Sequence, residues 1–198
     1  MSTLLRDHHL HHLCDALAEV PATAPTLCDG WDAHDLAVHI WVIKHDPLSW
    51  PGIVIPALAG VTRRRAETVR GRWPYLALLA RLRQDSGAIA CMPFDGREDH
   101  RHALGEYYIH TEDIRRANTL PRRSLSTETE DALWLRAHTA GGQLWGRGQD
   151  ATRFEAPDRM PFILGRGEPA TCVSGLPSEA ILRIYGREGV ADVQVTNL

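Results

Sequence analysis

Apolar residues recur three and four positions apart through most of this chain, a period that predicts α-helices. Near the start, Leu10, Leu13, Leu17 and Val20 form one such stripe, predicting a helix over residues 2 or 3 to 20 that buries this face. Pro21 and Pro25 then forbid its continuation. A second helix is announced by Gly30-Trp31-Asp32. Asp32 is placed to cap the free backbone N–H groups, with Trp31 before the cap and Leu36 inside it forming a hydrophobic staple. Leu36, His39, Ile40 and Ile43 share its inner face. Pro47 ends it, and residues 49–56, carrying Trp50 and two prolines, read as an extended loop.

A third helical region is broken near residues 71–74, with Leu76, Leu79, Ala80 and Leu82 on its later half. The fourth helix spans roughly residues 97–117, with a seam of Ala103, Tyr107, His110, Ile114 and Ala117. A fifth runs over residues 127–145, with Leu133, Ala137, Ala140 and Leu144 inward, and Gly146 and Gly148 terminate it. After Gln149 the texture changes. Short β-prone runs lie at 152–155, 161–164, 170–174 and 191–196, and an amphipathic helix over 177–185 has Pro177 at its first turn. The division expected is a helix bundle over residues 1–148 and a small α+β appendage over 149–198. Burial of Leu13, Leu17, Leu36, Ile43, Tyr107, Ile114 and Leu133 is what a bundle requires.

Composition narrows the class. The 198 residues suffice for a core without disulfide staples, and a net charge of −3 gives no electrostatic footprint for nucleic acid. The basic run Arg63, Arg64, Arg65, Arg70 and Arg72 reads as a solvated helix face. Cys14, Cys28, Cys91 and Cys172 contain no C-x-x-C pair, and such scattered thiols fit a reducing, cytoplasmic setting. No apolar run is long enough to span a bilayer, and the polar, histidine-rich start lacks the apolar centre of a signal peptide.

Candidate chemistry sits on the seams. Glu106 and His110 are four apart on the fourth helix, one turn from each other on the same face. That spacing lets a carboxylate oxygen and an imidazole nitrogen converge on one metal at roughly 2.0–2.2 Å. His39 replaces an apolar residue on the seam of another helix, where an unpaired polar group is costly. Three such ligands leave a position open for water or substrate, as in catalytic zinc sites. Spacing alone also admits satisfied structural histidines. Other histidines compete: His8 and His12 stand at i, i+4 in a cluster with His9 and His11 that reads as solvated, and His100 and His102 read as surface residues. His34, His45 and His138 show no partner in sequence. No G-x-S-x-G elbow or phosphate-binding glycine loop is present.

At these residues the chain resembles a known family. The run Pro25-Thr26-Leu27-Cys28-Asp29-Gly30-Trp31-Asp32, followed by Asp35-Leu36-Ala37-Val38-His39, resembles the second-helix signature of the mycothiol-dependent maleylpyruvate isomerase branch of the DinB-like superfamily. The segment from Glu106 through His110 to Ala117 is similar to that branch's second metal motif, and residues 175–187, ending Ile184-Tyr185-Gly186-Arg187, to its C-terminal appendage. Pro51-Gly52-Ile53-Val54-Ile55-Pro56 resembles an actinobacterial subgroup described only as metal-binding proteins. The resemblance implies an up-down four-helix bundle holding a divalent metal, typically zinc, through His39, Glu106 and His110. It also implies a low-molecular-weight thiol, mycothiol, as co-substrate or cofactor, an electrophilic small-molecule substrate, and a basic residue from the appendage, for which Arg183 and Arg187 are the candidates. Homodimers occur in the superfamily.

Three functions compete: a metal-dependent thiol S-transferase or thiol-dependent isomerase, a non-catalytic metal- or small-molecule-binding module, and a metal-dependent hydrolase in which water is the nucleophile. An open coordination position facing a polar cleft distinguishes the enzymes from the module.

Overall fold

The computed structural model describes residues 3–49, 51–85, 96–145 and 150–198. The chain divides into two compact units, Met1–Arg122 and Arg123–Leu198.

The first unit contains α1 (Thr3–Ala18), α2 (Ala33–His45), a short α3 (Pro51–Val54), α4 (Ala59–Arg72), α5 (Tyr75–Gln84) and α6 (Gly96–Ala117). α1 packs along α6 and α5, while α2 packs against α5 and α4. The apolar seams explain this arrangement. Leu10, Leu13 and Leu17 of α1, Leu36, Ile40 and Ile43 of α2, Leu78 and Leu82 of α5, and Tyr107 and Ile114 of α6 meet in one buried cluster. All six residues of this unit that the bundle reading required to be buried are at most 2% exposed. Tyr75, at the start of α5, donates its hydroxyl to the Leu17 carbonyl at 2.6 Å, joining two helix ends inside the core.

The entry to α2 is fixed by charge as well as by its cap. Asp32 accepts the Asp35 N–H at 2.8 Å, and Asp35 in turn accepts the Asp32 N–H at 3.2 Å, a reciprocal capping box with two aspartates. Arg70 of α4 straddles both, with its two guanidinium nitrogens on Asp32 at 2.9 Å and one on Asp35 at 2.7 Å. The hydrogen bond from Arg70 is the main reason that the Asp32 carboxyl is pulled down to about 2. Arg65 likewise pairs with Asp46, just beyond the end of α2. The basic run is therefore not simply a solvated face, because two of its arginines tie α4 to both ends of α2.

Some local expectations change. In place of the extended loop expected over 49–56, the described residues form 3₁₀ turns at Pro47–Ser49 and Pro56–Leu58 that flank α3. Each turn starts with a proline, whose fixed φ suits the first position of a helical turn. Gly52 is needed there, since a methyl group would run into the Thr62 hydroxyl and the Leu58 carbonyl. Leu76 is 71% exposed, and α5 instead turns Tyr75, Leu78, Leu79 and Leu82 inward. Cys91, Trp50, Gly146 and Gly148 lie outside the described residues.

The second unit contains α7 (Thr127–Leu144), β1 (Asp150–Glu155), β2 (Phe162–Leu164), β3 (Arg166–Ser174), α8 (Pro177–Ile184) and β4 (Gln194–Asn197). The sheet runs in the order β2-β1-β3-β4. β1 is antiparallel to β2 and parallel to β3, and β3 is antiparallel to β4. α7 packs on α8 and β2, with Leu133 and Ala137 fully buried, whereas Leu144 in the last turn is exposed. Glu130 of α7 accepts both the backbone N–H and the hydroxyl of Ser178, satisfying the start of α8. The expected boundary at 148/149 thus falls one helix after the division between compact units, because α7 buries its face with the appendage. Among the described residues no helix is long and apolar enough to cross a membrane.

Leu17→Ala should cost about 2–5 kcal/mol in chemical denaturation, the usual loss for truncating a fully buried leucine. The Arg70 clamp makes a pH-dependent prediction. With a folded pKa of about 2 against the model-compound 3.8, ionised Asp32 contributes stability that is fully present above about pH 4 and lost as pH falls towards 2. The stability gap between the native chain and Arg70→Ala should therefore be widest near neutrality and close between pH 4 and 2. A gap independent of pH would show that the clamp acts by packing alone.

Candidate metal centre

α2 and α6 carry the three residues singled out by spacing, and the bundle brings them together. His39 Nε2 lies 3.6 Å from Glu106 Oε2, and His110 Nε2 lies 3.4 Å from the same oxygen. One donor atom from each residue falls within 4.8 Å of the other two. The His39 and His110 rings meet edge to face with centroids 5.0 Å apart. The side chains of His39 and Glu106 are each 16% exposed and that of His110 is 9%, so the cluster is sheltered but reachable.

The separations from Glu106 suit metal ligands better than hydrogen-bond partners. Ligands at roughly 2.0–2.2 Å from a tetrahedral ion stand about 3.3–3.6 Å apart along the tetrahedron's edges. The two distances to Glu106 match that edge and are long for hydrogen bonds. A second cluster, Cys28, His110 and Asp113, also gathers metal-ligating atoms, but its spacing is different. His110 Nδ1 is 2.9 Å from Asp113 Oδ2, and the Cys28 thiol is 3.2 Å from that same oxygen. The shorter contact is a hydrogen-bond distance and the longer one suits a thiol donor. Asp113, fully buried, thus accepts from His110 and Cys28 together. A proton held on Nδ1 by a carboxylate leaves Nε2 as the nitrogen facing Glu106, the arrangement by which outer carboxylates orient metal-binding histidines.

The electrostatics follow from burial and from these neighbours. Burial, the largest influence on His39, lowers its pKa and favours the neutral ring that a metal needs. Burial opposes charge on Glu106 too, but His110 and His39 outweigh it and hold the carboxyl well below its usual range. Burial likewise works against protonated His110, yet Asp113, Cys28 and Glu106 together raise it well above the ordinary imidazole range. Without an ion, both shifts run in the direction that favours a carboxylate on Glu106 beside a protonated His110. The same negative charge suits a divalent cation, so the donor set fits the metal that the spacing suggested.

Three participants escaped the sequence reading. His102, read as a surface residue, is 16% exposed and places Nε2 3.8 Å from Glu106 Oε1. Its i, i+4 spacing to Glu106 was the available signal. Asp113 was signalled by its i, i+3 spacing to His110. Cys28 is far from both in sequence, and nothing local marks it. The other histidines find separate partners: His34 the Trp73 carbonyl, His45 Asp85, His138 the Phe162 ring, and His8 the His12 ring nitrogen at 2.8 Å. The side chain of His100 lies outside the described residues. Arg183 and Arg187 belong to the second unit, where Arg183 is 3.6 Å from Glu188 and Arg187 donates to the Tyr185 carbonyl.

No protein-family model matches the sequence, and no curated protein sequence does either. Two solved structures share the fold. The mycothiol-dependent maleylpyruvate isomerase matches with a TM-score of 0.62 at 13% identity, and a histidine-to-alanine mutant of that isomerase with 0.61 at 15%; each match covers 98% of this chain and 91% of that one. The architecture is therefore a mainly α helix bundle with a small α+β appendage. At this identity the likeness establishes the fold.

In the metal-free protein, Asp113→Asn removes the charge that holds the His110 proton, so the His110 midpoint should fall in an NMR titration. An unmoved midpoint would show that Asp113 does not control this ring.

Proposed function

We propose that the chain is a divalent-metal enzyme acting with a low-molecular-weight thiol, either a mycothiol-type S-transferase or a thiol-dependent isomerase. In this reading His39, Glu106 and His110 hold the metal, most simply zinc. The observation that carries it is the convergence of two imidazole nitrogens on one carboxylate oxygen at 3.4 and 3.6 Å, the edge lengths of a metal's ligand sphere. Zinc bound there supplies the positive charge that stabilises a thiolate at neutral pH.

The protein's own residues have separate tasks. Glu106 contributes the anionic charge that favours a dication, and neutral His39 presents its lone pair without a proton to displace. Asp113 and Cys28 hold His110 in one tautomer and orientation. Three protein ligands leave room for a substrate atom. His39 also lines a cleft, which favours an enzyme over a closed binding module. The shared fold with a structure named as a mycothiol-dependent isomerase supports a thiol over water as the nucleophile. The actinobacterial metal-binding subgroup and the cytoplasm, where low-molecular-weight thiols stay reduced, belong to the same reading. Arg183 and Arg187 remain the candidates for a basic catalytic residue.

His39→Ala and Glu106→Gln should each lose most bound zinc by elemental analysis while leaving the helical signal intact, because the apolar seams supply the folding energy. Asp113→Asn should weaken zinc by about 10–100-fold, the usual effect of removing an outer carboxylate. Unchanged zinc content in both ligand variants would remove the assignment. With metal-loaded protein, turnover of an electrophile should require added mycothiol and vanish in His39→Ala. Tight zinc with no turnover for any thiol would leave the binding module as the better reading.

A further inference from the structure

The His110 ring meets donor groups at both of its nitrogens. Nε2 is turned to Glu106. Nδ1 stands 2.9 Å from Asp113 Oδ2 and 3.9 Å from the Cys28 thiol, which is itself 3.2 Å from that oxygen. Thiol, imidazole and carboxylate together are a donor set for zinc and other thiophilic divalent ions. Around a tetrahedral ion with bonds of roughly 2.0–2.3 Å, such atoms stand about 3.4–3.6 Å apart. Each of the three separations lies within about 0.5 Å of that edge, so small side-chain rotations close them on one ion.

The backbone already holds these groups together. His110 and Asp113 lie one turn apart on α6. Cys28 lies in the turn before α2, where the Thr26 hydroxyl accepts the Cys28 N–H at 3.0 Å. That turn is pinned to the end of α6, because Asn118 donates its side-chain amide to the Pro25 carbonyl at 2.9 Å. Asp113 and His110 are buried and Cys28 is half-buried, so the thiol is the member of the three nearest to solvent. Without an ion, Asp113 accepts from both neighbours. A dication takes the place of those two protons, one from the thiol and one from Nδ1. An ion on Nε2 eases loss of the ring proton, since a bound cation favours deprotonation of the groups it touches.

We infer that Cys28, His110 and Asp113 form a second metal site for a thiophilic divalent ion, with the His110 ring bridging it as imidazolate to the ion held by His39 and Glu106. The bridge rests on the metal reading above, in which His110 Nε2 is a ligand of the first ion. The thiolate-containing site itself does not.

The test is titration of the reduced, zinc-stripped full chain with cobalt(II), which gives a sulfur-to-metal charge-transfer band in the near ultraviolet where a thiolate binds it. His8 and His12 carry no sulfur, so ions held by that surface pair are silent in this band. The native chain should develop the band as it takes up a second ion, bringing uptake to about two per chain. Cys28→Ser should lose the band and about one ion while keeping its helical signal, and Cys28→Ala serves as a second variant should serine disturb the fold. A native chain without the band, or a band that survives in both variants, overturns the second site. In the doubly loaded chain the two cobalt ions should be magnetically coupled through the ring, and uncoupled ions overturn the bridge. The two sites fail separately. A band lost in Cys28→Ser, with uptake unmoved by His39→Ala, keeps the second site and overturns the ligand assignment of the first. Uptake lowered by His39→Ala but not by Cys28→Ser, with no band, keeps the first site and overturns the second.

Discussion

A carboxylate held between two imidazoles inside a helix bundle is the constraint around which the first unit is organised. Ionised Glu106 in largely apolar surroundings would be destabilising without compensation. The structure answers with His110 and His39 on one oxygen and His102 near the other. His110 in turn depends on Asp113, and Asp113 on the Cys28 thiol. Each polar group is acceptable in its place because of the next one. The chain of dependence runs from the segment before α2, through α6, to the face of α2. Such a network costs stability when one member is removed, and a bound cation would unite its inner members.

Holding those groups in register requires α2 to be fixed in both rotation and position. Leu36, Ile40 and Ile43 press one side of it into the core, and that choice of buried face leaves His39 at the boundary between core and cleft. The axial position is set by the Asp32–Asp35 box and the Arg70 clamp at one end, and by Asp46 with Arg65 near the other. α4 therefore contributes little apolar burial, yet it anchors the helix that carries a candidate ligand. That division of labour also lets its inner face remain open beside the cluster.

Much of this was legible in sequence because it is local. The periods of three and four marked α1, α2, α6 and α7 to within a few residues, and Asp32 announced the start of α2. Glu106 and His110 are one helical turn apart on any helix, so their pairing followed from spacing. Recognition of His39 needed its position on an apolar seam together with the family resemblance. The short turns over 47–58 were misread because prolines signal a break without saying whether the chain beyond it extends or coils. The arginine run was misread because a charge pattern shows a polar face and does not show its partner.

What the sequence by itself determined is the helical fold, its main apolar faces and the spacing of Glu106 and His110, all consequences of backbone period and side-chain burial. The tertiary structure alone decided that Cys28 shares a carboxylate with His110 across 82 residues, that Arg70 binds both aspartates of the capping box of α2, that α7 joins the appendage, and that small residues of α4 face a cleft beside His39. These depend on which helix faces meet. No local period encodes that choice, because it is made by the packing of all the elements together.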